Sequence, residues 1–214
     1  MTNHKKILFI FLFVALGVLA LNIKLANLAG SKAAFTLFDS FAPISGAFLG
    51  ATWGVASVVA MQFVNLLLHG ASNLDLGFII RLIPTAFAVI YFSRKTRLNF
   101  IIPLLAMVAF IAHPIGRTVW YYSLFWLIPV AAYYFRDKSL IAKSLGATFA
   151  AHSVGGALWI WAFNLPAQVW INLIPVVIVE RLLFAAGIAA SFILMRRIVD
   201  VLAAKGWINA IHQG

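Results

Sequence analysis

The sequence predicts an all-α, polytopic transmembrane helix bundle, and three observations lead there. The first is composition: 64% of the 214 residues are hydrophobic and 10% are charged, with a mean hydropathy of +1.02. Ordinary globular domains carry roughly 25% charged residues, and a water-facing surface of this size needs more charge than the chain supplies. The second is that the apolar runs are long and continuous and do not alternate with period two, which favours helices over barrel strands. Helices also satisfy their own backbone groups inside lipid. The third is the placement of the basic residues behind the net charge of +11. They fall in short clusters between apolar runs, the pattern of a topology signal, and no nucleic-acid partner is expected. The absence of cysteine excludes disulfides, thiolate metal sites and cysteine nucleophiles.

The first apolar run, residues 7–23, follows His4, Lys5 and Lys6. It is long enough for a helix. A cleaved signal ending at Val18-Leu19-Ala20 is the alternative, but no polar mature domain follows. A polar stretch over residues 22–32 leads to an apolar segment over residues 33–68. That segment is too long for one comfortable span at ~1.5 Å per residue across a ~30 Å core. A tight turn at Gly50-Ala51-Thr52 would divide it into helices over 34–49 and 51–68, and the competing reading is a helix that continues through Gly50. Further spans are read over 77–92, over 100–112 and over 118–135. His113-Pro114-Ile115-Gly116-Arg117 separates the last two, since proline and glycine together break helices. Residues 140–163 and 169–195 complete the bundle, joined by a link over 164–168.

Charge supports this division. With eight spans and a cytoplasmic N-terminus, residues 5, 6, 94, 95, 97, 136, 138, 143, 196, 197 and 205 are the Lys/Arg inside. Lys24, Lys32 and Arg117 lie outside, and Arg81 and Arg181 fall within spans. A single span over 33–68 would put Lys5 and Lys6 on the wrong side. Eight helices in the cell membrane with both termini cytoplasmic are therefore expected, or seven if the first is a cleaved signal.

The chain is read as one membrane domain over residues 1–214 with an internal repeat. Leu49-Gly50-Ala51-Thr52 recurs as Leu145-Gly146-Ala147-Thr148, and each copy leads to an arginine within an apolar run, Arg81 or Arg181. A basic stop follows each arginine, Arg94-Lys95 or Arg196-Arg197. Two tandem four-helix units, 1–98 and 99–214, would keep one orientation, and transporters are often built from such repeats. Gly46, Gly50 and Gly54 in one half, and Ala147, Ala151 and Gly155 in the other, are small residues at a spacing suited to close helix packing.

Ionisable groups inside spans cost about 2.5–3.5 kcal/mol or more at the bilayer centre, so Arg81, Glu180 and Arg181 are candidate site residues. Both arginines precede their basic stop by about 20 Å of helix, which puts them at equal depth in the outer half. Facing one cavity they would suit a carboxylate or phosphate. The structural alternative is an Arg81–Glu180 ion pair. His152 within a span, His113 with Arg117 at an outer end, and Asp39 at another outer end add polar handles. Trp120, Trp159, Trp161 and Trp170, with Tyr121 and Tyr122, gather at the outer face, either as an interfacial belt or as a stacking surface in which Trp159 and Trp170 take part. Metal ligation by His113 and His152 is the alternative, but two histidines without a carboxylate partner at helical spacing are a weak signal for it. No metal or cofactor is expected. Hydrolase and phosphate-loop motifs are absent.

Phe38-Asp39-Ser40-Phe41-Ala42-Pro43-Ile44-Ser45-Gly46-Ala47-Phe48-Leu49-Gly50, with Gly54 and the apolar helix beyond it, resembles the second and third helices of the substrate-binding S components of energy-coupling-factor transporters. The resemblance implies an outward-facing pocket for a vitamin or metal ion, faced by the loops around Asp39, 69–75 and 164–168, and transmembrane and ATPase subunits as partners. The chain departs from the family in its eight expected helices, where six are typical. It also lacks the Ala-x-x-x-Ala pattern common in the first helix: Ala15 is followed four residues later by Leu19, and Ala20 by Lys24.

These readings lead to a membrane protein that binds a small molecule in an outward-facing pocket for uptake, and is not an enzyme. A non-transporting scaffold or partner subunit is the alternative. A membrane-embedded enzyme with Glu180 and His152 as acid and base is the third reading.

Overall fold

The computed structural model describes residues 3–27, 34–69 and 76–206, so Lys32 and Asp75 lie outside the described residues. The fold is the all-α bundle that composition predicts. Its helices are α1 (Asn3–Leu21), α2 (Phe38–Phe41), α3 (Ser45–His69), α4 (Leu76–Ser93), α5 (Leu98–Ala112), α6 (Pro114–Thr118), α7 (Leu127–Phe135), α8 (Leu140–Phe163) and α9 (Ala167–Ala204). Short 3-10 turns over Ala42–Ile44 and Trp120–Trp126 join α2 to α3 and α6 to α7. The stretches Phe38–Leu68, Leu76–Ser93 and Ala167–Ala204 are long and apolar enough to cross a membrane, and Ile10–Leu21 and Leu98–Ala112 are shorter apolar helices. Large apolar side chains such as Leu67, Phe11 and Leu183 are exposed around the bundle, a surface that water does not favour but lipid does.

The turn expected at Gly50 is present inside α3. Gly50 has φ 77° and ψ 172°, breaking the helix. Eight residues of straight helix would hold Gly46 and Gly54 ~12 Å apart. Instead a Cβ on Gly54 would lie 3.0 Å from the Gly46 nitrogen, so the chain folds back at Gly50. Ser45 Oγ donates across the fold to the Gly54 carbonyl at 3.3 Å. Gly46 and Gly54 thus serve the close approach of two antiparallel segments, while Gly50 supplies a backbone conformation that is essentially glycine's alone. Gly50→Ala is expected to lower stability by about 1–3 kcal/mol. The penalty is backbone strain, since nothing lies within 4 Å of the added carbon. Unfolding by SDS titration in mixed micelles measures it, and an unchanged midpoint would remove the turn.

Other boundaries have local causes. Ser139 caps α8, its hydroxyl accepting from the Ala142 nitrogen at 3.2 Å, and Asn164 ends the same helix in the left-handed region (φ 47°, ψ 40°) that asparagine tolerates. Two elements differ from the sequence expectation. Lys24–Asn27 and Ala34–Thr36 form a two-stranded antiparallel hairpin. The first strand falls in the expected polar loop, and the second replaces the start of the helix expected over 34–49, which begins only at Phe38. The expected span over 118–135 is divided into the Trp120–Trp126 turn and a short α7, because the bulky aromatic run packs inward as a 3-10 coil. The two Leu-Gly-Ala-Thr copies take different structures. Gly50 breaks a helix, whereas Gly146 lies inside α8 against the ring of Tyr91.

The core has two regions. One gathers Phe13, Phe38, Phe48, Met61, Phe92 and Ile188. The other gathers Phe110, Tyr122, Trp126, Ile160 and Trp170. Helix α4 runs along α8, and α9 closes against both regions.

Candidate functional site

A cavity of about 190 Å³ opens between α4, α8 and α9 at the end of the bundle away from the basic loops. Helix α4 contributes Arg81, Pro84 and Thr85, and α8 contributes Thr148, His152 and Trp159. Helix α9 adds Trp170, Glu180 and Arg181, Phe35 and Asp39 come from the hairpin and α2, and Tyr122 from the aromatic turn. Of the residues singled out from sequence, Arg81, Arg181, Glu180, His152, Asp39, Trp159 and Trp170 all line it. His113 and Arg117 do not. His113 is buried as the cap of α6, its Nδ1 accepting from the Ile115 nitrogen at 3.2 Å, and its ring meets Trp161 edge-on. Arg117 is exposed in the last turn of that five-residue helix.

The ion pairs differ from the Arg81–Glu180 pair weighed from sequence. Arg81 Nη2 reaches both oxygens of Asp39, at 3.2 and 3.1 Å. Asp39 Oδ2 also accepts from the Thr36 nitrogen at 2.8 Å, which ties the hairpin to α2 and α4. Glu180 instead faces its own neighbour, Arg181, with Nη2 and Oε2 3.5 Å apart. Asp39 and Arg81 both line the cavity, within ion-pair distance of each other. Helix α9 approaches the same space with its acid and its arginine already side by side.

Arg181 is buried, with 4% of its surface exposed. Its Nη1 donates to Thr148 Oγ1 at 3.4 Å, and its Nε has no hydrogen-bond partner among the described residues. Two neighbouring rings cover it from one side, Phe35 at 4.6 Å and Phe184 at 4.7 Å, with their centroids 5.3 Å apart. Phe35 also lies 5.5 Å from the Arg81 guanidinium. One hairpin side chain therefore closes over both arginines.

His152 is held from two sides. Trp126 Nε1 donates to its Nδ1 at 3.1 Å, and its Nε2 lies 3.0 Å from the Tyr122 hydroxyl. An indole nitrogen only donates, so Nδ1 must accept and the imidazole proton sits on Nε2. His152 then donates to Tyr122, whose own hydroxyl proton is left to point elsewhere. No family model matches the chain, and neither a curated protein nor a solved structure is similar to it at a significant level.

The sequence reading missed three contributors. Phe35 belongs to the hairpin, which no periodicity marks. Sequence offers Tyr122 either to an interfacial belt or to a stacking surface and does not single it out, and it is 2% exposed and lines the cavity. Trp126, which sets the histidine tautomer, is fully buried in the same aromatic run. A signal was available in the composition of that run, where an uninterrupted series of large aromatics exceeds what one interfacial ring needs. Trp120 and Trp161, by contrast, are more than half exposed, as belt residues are.

Proposed function

We propose that the protein is a multi-pass protein of the cell membrane that binds a small molecule in this cavity for uptake, in the manner of an S component. The observation that carries the reading is the convergence of two span arginines, two acids, a histidine and two tryptophans on one cavity. Ionisable side chains at such depth mark ligand and substrate paths by default. Counted by the positive-inside rule, the basic loops face the cytoplasm with both termini, so the cavity opens outward. The likeness of residues 38–50 to S components adds transmembrane and ATPase subunits as the partners that would drive release.

Binding suits the site better than catalysis. Both ring nitrogens of His152 are taken by Tyr122 and Trp126, so it has no lone pair for a substrate proton. One observation favours the scaffold reading: Arg81 and Asp39 form an ion pair that joins α2 to α4. Native mass spectrometry of the detergent-purified protein separates the two. The expected result is a small bound mass on wild type that is absent from Arg81→Gln or Arg181→Gln with folding intact. An empty wild type destabilised by both substitutions would favour the scaffold.

A further inference from the structure

We infer that the ligand is a small, mainly apolar monocarboxylate, with its carboxylate at the Arg181 guanidinium, its second contact to the Tyr122 hydroxyl, and its body against Pro84, Trp159 and Trp170. This rests on the binding function proposed above and names the class of molecule.

The first support is the state of Arg181. A guanidinium has five N–H donors, and Arg181 engages two partners, Thr148 at 3.4 Å and Glu180 at 3.5 Å. Charge-assisted bonds to a carboxylate run at about 2.7–2.9 Å, so both contacts are loose. Nε has none, in a side chain 5% exposed. A buried cation this poorly coordinated is costly unless something completes it. Phe35 and Phe184 stand 4.6 and 4.7 Å from the guanidinium with their centroids 5.3 Å apart, so both rings lie to one side, and the edge that carries the unpartnered Nε is where a ligand would meet it. In-plane, two-point contact is how carboxylates bind guanidinium.

The second support is the direction of the Tyr122 hydroxyl. With the His152 proton committed to it, Tyr122 offers a donor to the cavity. Thr148 and His152 stand one turn apart on α8, so the Arg181 and Tyr122 contacts share a wall. The unengaged groups there are donors, which calls for an acceptor ligand.

Charge selects among acceptors. Asp39 is occupied by Arg81 and by the Thr36 nitrogen, and Glu180 already stands beside Arg181. A dianionic phosphate would meet two acids in one low-dielectric space, while a cation would meet two arginines. A monocarboxylate brings half that charge to the acids and the sign that the arginines attract. The remaining lining is aromatic and aliphatic, with Pro84, Trp159, Trp170, Leu173 and Val177. A cavity of about 150 Å³ accommodates benzene. The 190 Å³ available therefore suits one substituted ring or an equivalent aliphatic body.

The test incubates wild type, Arg181→Gln and Tyr122→Phe, each in nanodiscs, with an aqueous metabolite extract of the expression host. After washing, bound molecules are released in organic solvent and weighed by accurate mass before and after methyl esterification. The expected result is enrichment by wild type of a phosphorus-free molecule that gains one methyl ester. Arg181→Gln is expected to retain it at least ~100-fold less, and Tyr122→Phe about tenfold less, as the loss of a charged and a neutral hydrogen bond implies. Tyr122→Phe keeps the ring that packs on Phe110 and Trp170, so it reports on the donor even if Arg181→Gln does not fold. An enriched molecule that does not esterify, that carries phosphate, or that Tyr122→Phe retains as well as wild type overturns the carboxylate while leaving the binding function standing. A wild type that enriches nothing overturns both.

Discussion

Arg136→Met is expected to destabilise the protein by about 2–4 kcal/mol, although it lies far from the cavity. The side chain is 2% exposed in the turn between α7 and α8. Its Nη2 donates to the carbonyls of Tyr91 at 2.7 Å and Phe92 at 3.3 Å. Both belong to the last turn of α4, where the helix has no N–H groups left to offer. Asn99 helps only weakly at the same carbonyl, at 3.5 Å. A hydrogen bond from a charged group contributes about 1.5–3 kcal/mol, and a buried carbonyl left unpaired carries its own penalty. The positive charge also suits a helix C-terminus. Methionine fills much of the volume but supplies no donor. Arg136→Lys restores one donor without the planar fork and is expected to fall between the two. SDS-titration unfolding of the three proteins measures the series. A methionine variant within 0.5 kcal/mol of wild type would show that the α4 carbonyls find other partners.

A second large effect is expected at Gly146, and a control lies on the same helix. A Cβ at Gly146 would fall on the Tyr91 ring. That ring is buried at 1% exposure and anchored by its hydroxyl, which donates to the Pro129 carbonyl at 2.7 Å. It cannot swing away without losing that bond, so α4 and α8 must separate. Overpacking of this kind costs about 1–3 kcal/mol or more, and Gly146→Ala is expected at the upper end. At Gly155 the nearest atom to an added Cβ is Pro84 Cγ at 3.4 Å, an ordinary contact. There Gly→Ala in mid-helix is expected to be neutral or to stabilise by up to about 1 kcal/mol. Because Gly155 lines the cavity, it also narrows the ligand space. The same unfolding assay on both variants gives the comparison, and equal effects at the two positions would contradict the α4–α8 packing.

Much of the helical layout was legible because it depends on local properties of the chain. The ends of α8 follow from Ser139 and Asn164, a cap and a left-handed terminator that flank the apolar run. The fold-back at Gly50 followed from length and charge parity, and the structure places a glycine-only backbone there. The pairing of Lys24–Asn27 with Ala34–Thr36 was not legible, because its strands are three or four residues long and gain stability from the bundle beneath them. The aromatic turn at Trp120–Trp126 read as a span, since hydropathy counts a buried ring and a lipid-facing ring alike.

The sequence by itself determined an all-helical, strongly apolar bundle and the similar distances, 13 and 15 residues, of Arg81 and Arg181 from the basic pairs that follow them, since hydropathy, charge clusters and residues per turn add up along the chain. Tertiary structure decided which acid meets which arginine, with Asp39 taking Arg81 and Glu180 left beside Arg181. It also decided the proton position on His152, and which tryptophans line the cavity, Trp159 and Trp170, and which face outward, Trp120 and Trp161. The reason is physical. Away from water a polar group takes whatever partner the neighbouring helix brings within about 3 Å, and neighbourhood is set by packing between segments that sequence order does not join.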